Sequence, residues 1–424
     1  MKNNAVKIFK FGGASIATPK LMKNVAEIIA KFGDERLVVV VSAMGKTTNA
    51  LEEIARGYFE DKEGAKGVAA TIKADHVRVC EQLLTLPQPT IDKVNNLFVE
   101  IDWLLEDDVE TDEGYVYDQV VSIGELASTT ILADYLKQAG LAATWVDARG
   151  VIFTTDVYQQ AEVLWDKTCT AAQMQFEPIL RKGIVITQGF IGSTTDNNTT
   201  TLGREGSDFS GAIFANCLDA ESLTIWKDVP GVLNADPRWL ADTVKLTEMN
   251  YREAVEQTYY GAKVIHPKTI KPLQNKGIPL HVRSFKDVSE VGTTINPEAQ
   301  NLFEKPVFVL KKNQVLLHCY TSDFSFFDND DINAVMKVFG DAHCNINLLQ
   351  NGAVQCSFVF DDDEEMIEGI YRELQTNYIV KVDRGLELLT IRHYTDDAVR
   401  EMTSRLNILM EQRTPINYQA LIQP

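Results

Sequence analysis

Basic residues are scarce in this chain: 41 lysines and arginines stand against 60 aspartates and glutamates, a formal net charge of -19 at pH 7. No clustered basic face offsets that deficit, which argues against nucleic acid, a polyanion, as a partner. An acidic surface is first of all a source of solubility. Histidine occurs six times, and the six cysteines, Cys80, Cys169, Cys217, Cys319, Cys344 and Cys356, form no CxxC pair and no set with spaced histidines. That scatter indicates neither a zinc site nor a disulfide framework and predicts reduced, mostly buried thiols. No run of about 18 apolar residues occurs, so no membrane partner is expected, and the N-terminus enters its first strand without an apolar signal segment. A cytoplasmic protein is predicted.

There is enough chain for more than one core, since 424 residues suggest two or three domains. After a first strand and turn, Leu21, Val25, Ile28, Ile29 and Phe32 recur at helical spacing, and Leu37-Val38-Val39-Val40-Val41 follows as a strand buried on both faces. The alternation returns with Ile131 to Ala139 before Ala142-Ala143-Thr144-Trp145-Val146, with Ile184-Val185-Ile186-Thr187, and with Ser222-Leu223-Thr224-Ile225-Trp226. Parallel strands with helical crossovers carry their functional loops at the carboxyl ends, where Gly12, Ser42, Gly189 and Asp228 fall. Residues 51–110 read instead as helices, with Leu83, Leu84, Val94, Leu97, Ile101, Leu104 and Leu105 as the apolar stripe and Glu106-Asp107-Asp108 closing it.

The character changes around Val291 to Pro297, which places a domain boundary near residue 300, with domains 1–300 and 301–424. Beyond it Val307 to Leu310, Val315 to Tyr320, a helix around Ile332 to Phe339, Ile346 to Leu349 and Val354 to Phe360 give a βαββ series, followed by a helix over Glu364 to Gln375. A second, weaker copy starts at Leu386 to Ile391, with a helix from Ala398 to Met410 and a strand from Asn417 to Ile422.

The densest chemistry lies in Thr199-Thr200-Thr201-Leu202-Gly203-Arg204-Glu205-Gly206-Ser207-Asp208-Phe209-Ser210-Gly211-Ala212. Hydroxyls, glycines, an arginine and a carboxylate approach a buried helix there, and Ser207 or Asp208 takes the capping position. Free N–H groups at such a helix start, with glycines that let an anion come close, suit a phosphate or carboxylate. At the other end, Val6-Lys7-Ile8-Phe9-Lys10-Phe11-Gly12-Gly13-Ala14-Ser15 is a strand that breaks into a glycine pair, with Lys10 just before the turn. An ammonium in that position can meet whatever anion the glycine amides contact.

Together with these two stretches, Val41 to Asn49, Ser122-Ile123-Gly124-Glu125, Gln188 to Gly192, Ile225 to Gly231, Asp236-Pro237-Arg238 and Tyr260 to Pro267 make the chain resemble the amino-acid kinase superfamily and, within it, the aspartate kinases. The likeness covers about the first 300 residues in the family's order and approximate spacing. It implies an amino-acid kinase fold, α/β with a mainly parallel sheet sandwiched by helices, followed by paired ACT modules of the ferredoxin type. The first module, about 312–386, would be inserted into a shortened second one built from about 303–311 plus 387–424.

The resemblance also implies roles. Lys10 would neutralise the transferring phosphoryl group of ATP, Gly12 and Gly13 would supply N–H donors, and Asp208 would orient Lys10. Since a carboxylate acceptor with a reference pKa of about 3.9 is already ionised, Asp208 is an organiser and not a base. Arg204 would hold the substrate carboxylate, Glu125 its α-ammonium group, and Thr48 and Ser207 would hydrogen-bond to it. Lys227, Asp228, Leu233, Arg238 and Lys263 match the nucleotide segments, while His266 before Pro267 reads as structural. No metal ligand is expected from the protein, and Mg2+ would come with ATP. Glu205, Lys227 and Leu233 depart from the commoner pattern, and contacts to substrate and nucleotide would differ in detail.

In the tail, Ile346, Asn347, Gly352 and Ala353 stand in the segment that holds the effector in lysine-inhibited relatives, where an aspartate, a serine and an acidic residue are usual. Weak, altered or absent lysine inhibition is therefore expected, with a homodimer or larger homo-oligomer formed through the ACT modules. The implied reaction is formation of 4-phospho-L-aspartate from L-aspartate. The rival readings are a glutamate, acetylglutamate or nucleotide kinase of the same superfamily, and a non-catalytic amino-acid sensor; the Ser122 to Glu125 motif and the tail argue against the first, and retention of Lys10 and Asp208 against the second.

Overall fold

The computed structural model describes residues 5–32, 36–106, 111–262, 265–300, 303, 305–323 and 325–424. The stretch before the glycine pair is strand β1 (Val6–Phe11), and the valine run is β2 (Arg36–Val41), whose last five residues are fully buried. Between them α1 (Pro19–Lys31) is capped by Thr18, whose side chain accepts from Leu21 N, and Pro19 fills a first-turn position where its missing N–H has no cost. Four helices follow in succession, α2 (Thr47–Glu60), α3 (Lys62–Leu83), α4 (Gln88–Glu106) and α5 (Glu113–Gln138). Leu83, Leu84, Val94, Ile101 and Leu105 of the expected stripe are buried among them, while Asp107 and Asp108 lie outside the described residues. Helix α5 is buried nearly all round from Val120 to Ala133, with Ser122, Glu125, Ser128, Thr129 and Thr130 enclosed among its apolar side chains.

The chain continues through β3 (Ala143–Trp145), α6 (Trp165–Leu180), β4 (Ile184–Gln188), β5 (Ile191–Ser193), β6 (Thr199–Thr201), α7 (Gly206–Cys217) and β7 (Ser222–Lys227). The short β8 (Val232–Leu233), β9 (Lys245–Leu246) and β10 (Glu248–Met249) precede α8 (Tyr251–Tyr259), α9 (Pro267–Lys276), β11 (Leu280–Ser284) and β12 (Thr293–Ile295). One eight-stranded sheet runs β10-β12-β11-β7-β1-β2-β4-β3, parallel everywhere except where β12 meets β11. Because β7, β1, β2 and β4 are adjacent and parallel, Asp228, Gly12, Ser42 and Gly189 emerge along one edge of the sheet. This is the carboxyl-end edge at which open α/β sheets bind ligands.

The cysteines differ from expectation in one respect. Cys169 of α6 and Cys217 of α7 form a disulfide, while Cys80, Cys319, Cys344 and Cys356 are free. The pair is 48 residues apart in sequence, so no local spacing announces it. The packing of the two helices does, with Gln173 Nε2 donating to Cys217 O at 2.9 Å.

The chain divides into two compact units, Met1–Val232 with Lys245–Val255 and Val264–Leu302, and Leu233–Val244 with Glu256–Lys263 and Phe303–Pro424. In the second unit β13 (Val307–Thr321), α10 (Asn329–Asp341), β14 (Ile346–Asn351), β15 (Gln355–Asp361), α11 (Glu364–Leu374), β16 (Tyr378–Arg392), α12 (Asp396–Thr403), β17 (Asn407–Arg413) and β18 (Asn417–Gln423) build one six-stranded antiparallel sheet, β14-β15-β13-β16-β18-β17. The two central strands are long enough to serve both halves. Their C-terminal and N-terminal parts, respectively, join β14 and β15, and Val307 to Lys311 with Leu388 to Arg392 join β17 and β18. The sequence separates Val307 to Leu310 from Val315 to Tyr320, but the strand is continuous, with register shifts between Lys311 and Leu316 and Asn313 at φ 54° taking up the bend. The helix expected to reach Met410 stops at Thr403. From Asn407 the chain pairs with β18 instead, a case of strand pairing overriding local helix propensity.

Candidate active site

Lys10, the penultimate residue of β1, is 8% exposed, and its Nζ lies 2.6 Å from Oδ1 of Asp208, which is 1% exposed. Lys227 at the end of β7 brings a second ammonium to 3.8 Å from Asp208 Oδ2. Burial pushes the Asp208 carboxyl up, but the charges of Lys10 and Lys227 and the Lys10 bond outweigh it and hold the group below its ordinary value. This pair corrects the expected cap. The N-cap of α7 is Glu205 in the left-handed conformation, φ 57°, with no side-chain cap bond; Asp208 sits inside the first turn because its carboxylate is taken by the lysines. Negative charge in that turn is favoured by the helix dipole as well.

Two glycines allow the surrounding backbone to close in. A Cβ on Gly13 would stand 2.6 Å from Ala43 O and 2.8 Å from Gly45 O, so the turn after β1 can lie against the loop after β2 only without a side chain. A Cβ on Gly189 would meet Ser207 Cα at 2.7 Å, which lets the end of β4 abut the start of α7. Gly12 begins a single 3-10 turn, its carbonyl accepting from Ser15 Oγ at 2.6 Å.

Glu125, in the middle of α5, is 2% exposed; its Oε1 accepts from Ala43 N at 3.2 Å, and its Oε2 is buried with no partner among the described residues. Burial pushes its carboxyl up to about 8, against the hydrogen bond from Ala43. A buried acceptor left open in this way is suited to an incoming cation. Arg204 is exposed and makes no ion pair among the described residues, Ser207 is half-buried at the start of α7, and Thr48 is half-buried in the first turn of α2.

A family model described as the amino acid kinase family matches residues 5–284. The chain belongs to the amino acid kinase family. Lysine-sensitive aspartokinase 3 of Escherichia coli strain K12 is 30% identical over 401 residues, which is 91% of this chain and 86% of that protein. The solved structure of E. coli aspartokinase III in complex with aspartate and ADP, its R-state, matches with a TM-score of 0.82 at 28% identity over 98% of this chain and 96% of that one. Its T-state complex with lysine and aspartate matches at 0.80 and 28%, over 98% and 95%.

Of the nucleotide residues expected from the family pattern, Lys227 faces Asp208, and the exposed Asp228 lies 3.8 Å from Lys286 Nζ. Leu233 and Arg238 fall in the second compact unit, Leu233 half-buried and Arg238 exposed, its Nε shared by the two oxygens of Asp236 at 3.0 and 2.9 Å. Lys263 lies outside the described residues. His266 caps α9, its Nδ1 accepting from Lys268 N at 3.2 Å ahead of Pro267. Sequence reading missed Asp118, a fully buried carboxylate of α5. Its signal was available: it precedes Glu125 by seven residues and shares that face of the helix.

Proposed function

We infer that this amino acid kinase is an aspartate kinase, transferring the γ-phosphoryl group of ATP to the side-chain carboxylate of L-aspartate to give 4-phospho-L-aspartate, the first step towards lysine, threonine and methionine. The observation that carries the reading is the buried Lys10–Asp208 ion pair at the carboxyl end of β1, beside a turn that excludes side chains. Lys10 neutralises charge on the moving phosphoryl group, the amides of Gly12 and Gly13 donate to it, and Asp208 holds Lys10 in place. Mg2+ enters with the nucleotide as part of that substrate. The acceptor carboxylate is ionised at neutral pH, so positioning does the work that a base would otherwise do.

Arg204 takes a substrate carboxylate bidentately, and the open Oε2 of Glu125 takes the α-ammonium. Thr48 and Ser207 hydrogen-bond to the amino acid, and Lys227, Asp228, Leu233, Arg238 and Lys263 serve the nucleotide. Ile346 and Asn347 on β14, with Gly352 and Ala353 after it, make an altered effector segment, and the second unit joins copies of the chain into a homo-oligomer. Among the described residues no helix is long and apolar enough to cross a membrane, and we place the reaction in the cytoplasm. Hydroxylamine trapping with ATP, magnesium and L-aspartate tests the reading, with Lys10→Ala as control and glutamate as the alternative acceptor. Aspartyl hydroxamate from the intact protein alone is expected. Product with glutamate only would move the assignment to another branch of the family, and no product with either would leave a sensor.

A further inference from the structure

We propose that Asp118 is a positioning residue that sets the spacing of the two groups recognising the amino-acid substrate, an inference that rests on the aspartate kinase reading. Asp118 is 0% exposed, and all its bonds go to backbone and side chain on other elements. Its Oδ2 accepts from Thr201 N at 2.9 Å and its Oδ1 from Thr201 Oγ1 at 2.6 Å, while Gln159 N donates to both oxygens at 3.2 and 3.0 Å. Gln119, next on α5, donates from Nε2 to Thr199 O at 3.0 Å. Two neighbouring side chains of α5 therefore fasten strand β6.

The fastening matters because of what lies at either end. Three residues after Thr201 comes Arg204, followed by Ser207 and Asp208 at the start of α7. Seven residues after Asp118 comes Glu125, about 10 Å along the same helix at 1.5 Å per residue. Carboxylate clamp and ammonium acceptor are thus referred to one rigid element, and their separation is what an α-amino acid must match. Gln159 adds a second tie, since it is held at φ 64° and Ala161 N bonds Thr201 O at 3.0 Å, so the loop before α6 and strand β6 move together. Three donors make four bonds to the two carboxylate oxygens, and this requires the ionised form. An amide or a protonated acid would turn a donor toward the Thr201 or Gln159 N–H.

The charged and titratable groups around Asp118 are Asp112 ahead of α5, Tyr117 beside it, Tyr158 and Asp156 on the loop with Gln159, and Arg149, whose Nη1 reaches Thr199 Oγ1 at 3.5 Å. Burial raises the Asp118 carboxyl to about 6, against the bonds from Thr201 and Gln159.

The experiment is steady-state kinetics on the full chain for the intact protein, Asp118→Asn and Thr201→Val, with aspartate and ATP varied separately between pH 5 and 8. Asp118→Asn is expected to raise KM for aspartate about tenfold or more, with kcat and KM for ATP within about threefold, because misplacement of a recognition group by under an ångström is costly. Thr201→Val, which removes one of the four bonds, should shift the same constant in the same direction by less. Protonation of Glu125 raises aspartate KM with falling pH in both proteins, and below about pH 6 the intact protein should show a further steepening that Asp118→Asn lacks. An unchanged aspartate KM in both variants overturns the proposal, as does an equal loss in aspartate and ATP constants, which is the mark of a general structural role. If Asp118→Asn does not fold, Thr201→Val decides alone. An intact protein that makes no aspartyl hydroxamate would instead remove the underlying reading, and the proposal with it.

Discussion

Two buried carboxylates of the site are driven in opposite directions, Asp208 down by Lys10 and Lys227 and Glu125 up by burial to about 8. At pH 7 the free protein therefore carries Glu125 protonated, and an α-ammonium arriving at Oε2 favours the ionised form. Aspartate binding should release up to about one proton, read by calorimetry as a binding enthalpy that varies with the ionisation enthalpy of the buffer. Glu125→Gln should abolish that dependence and raise KM for aspartate; an enthalpy independent of buffer in the intact protein would contradict the assignment. The folded Glu125 carboxyl lies above its ordinary value, so the folded state binds the extra proton between the two, and the ligand-free protein loses stability as pH rises from about 4.5 to about 8. Asp208 has the opposite sign: its contribution is present above the ordinary carboxylate range and is lost as pH falls below it. Asp208→Asn should lower kcat by about a hundredfold or more, since Lys10 loses the charge that aims it.

Among elements, the turn after β1 and the loop after β2 are pressed together at Gly13, and Ala43 in that loop also donates to Glu125. Gly13→Ala should therefore depress kcat/KM and the melting temperature together. Gly67→Ala is the matched control: Gly67 is an exposed residue of α3 with nothing within 4 Å of the place a Cβ would take, and replacement should add about 0.5–1 kcal/mol of stability by helix propensity and leave the rate alone. A thermal melt with parallel kinetics checks both. The strand ends at Gly12, Ser42, Gly189 and Asp228 were legible in the sequence because buried parallel strands read as unbroken apolar runs and their loops break sharply. The α7 start was legible in composition but not in conformation. Only the third dimension shows that Asp208 serves Lys10 and leaves the cap to Glu205. The first four residues of β17, Asn407 to Met410, were read as helix because the segment has no strong alternation of its own and takes its form from β18, and the Cys169–Cys217 link was invisible for want of any local pattern.

At the scale of the whole molecule, inhibition by an amino acid needs a binding site whose affinity differs between two states of the chain. The segment in question on β14 is already satisfied from within the second unit. Lys311 Nζ donates to Asn347 Oδ1 at 2.8 Å and lies 3.4 Å from Asp361 Oδ1, while Asn347 Nδ2 donates to Gln314 Oε1 at 2.8 Å and to Asp361 Oδ1 at 3.0 Å. Burial pushes the Asp361 carboxyl up, but the bond from Gln314 and the charge of Lys311 bring it below its ordinary value, so it stays ionised and paired. At this proposed effector segment a free lysine would meet an asparagine, with both ends of its amide engaged, an aspartate whose charge is matched by the chain's own ammonium, and at Gly352 and Ala353 no polar side chain at all. Each lost charge-assisted bond removes about 1.5–3 kcal/mol, enough between them to move a micromolar affinity to millimolar or weaker. Calorimetric titration of the full chain with L-lysine should accordingly show no binding in the micromolar range, and aspartyl hydroxamate formation should be unaffected by lysine at such concentrations. Micromolar binding with a matching fall in activity would overturn the expectation of weak, altered or absent lysine inhibition.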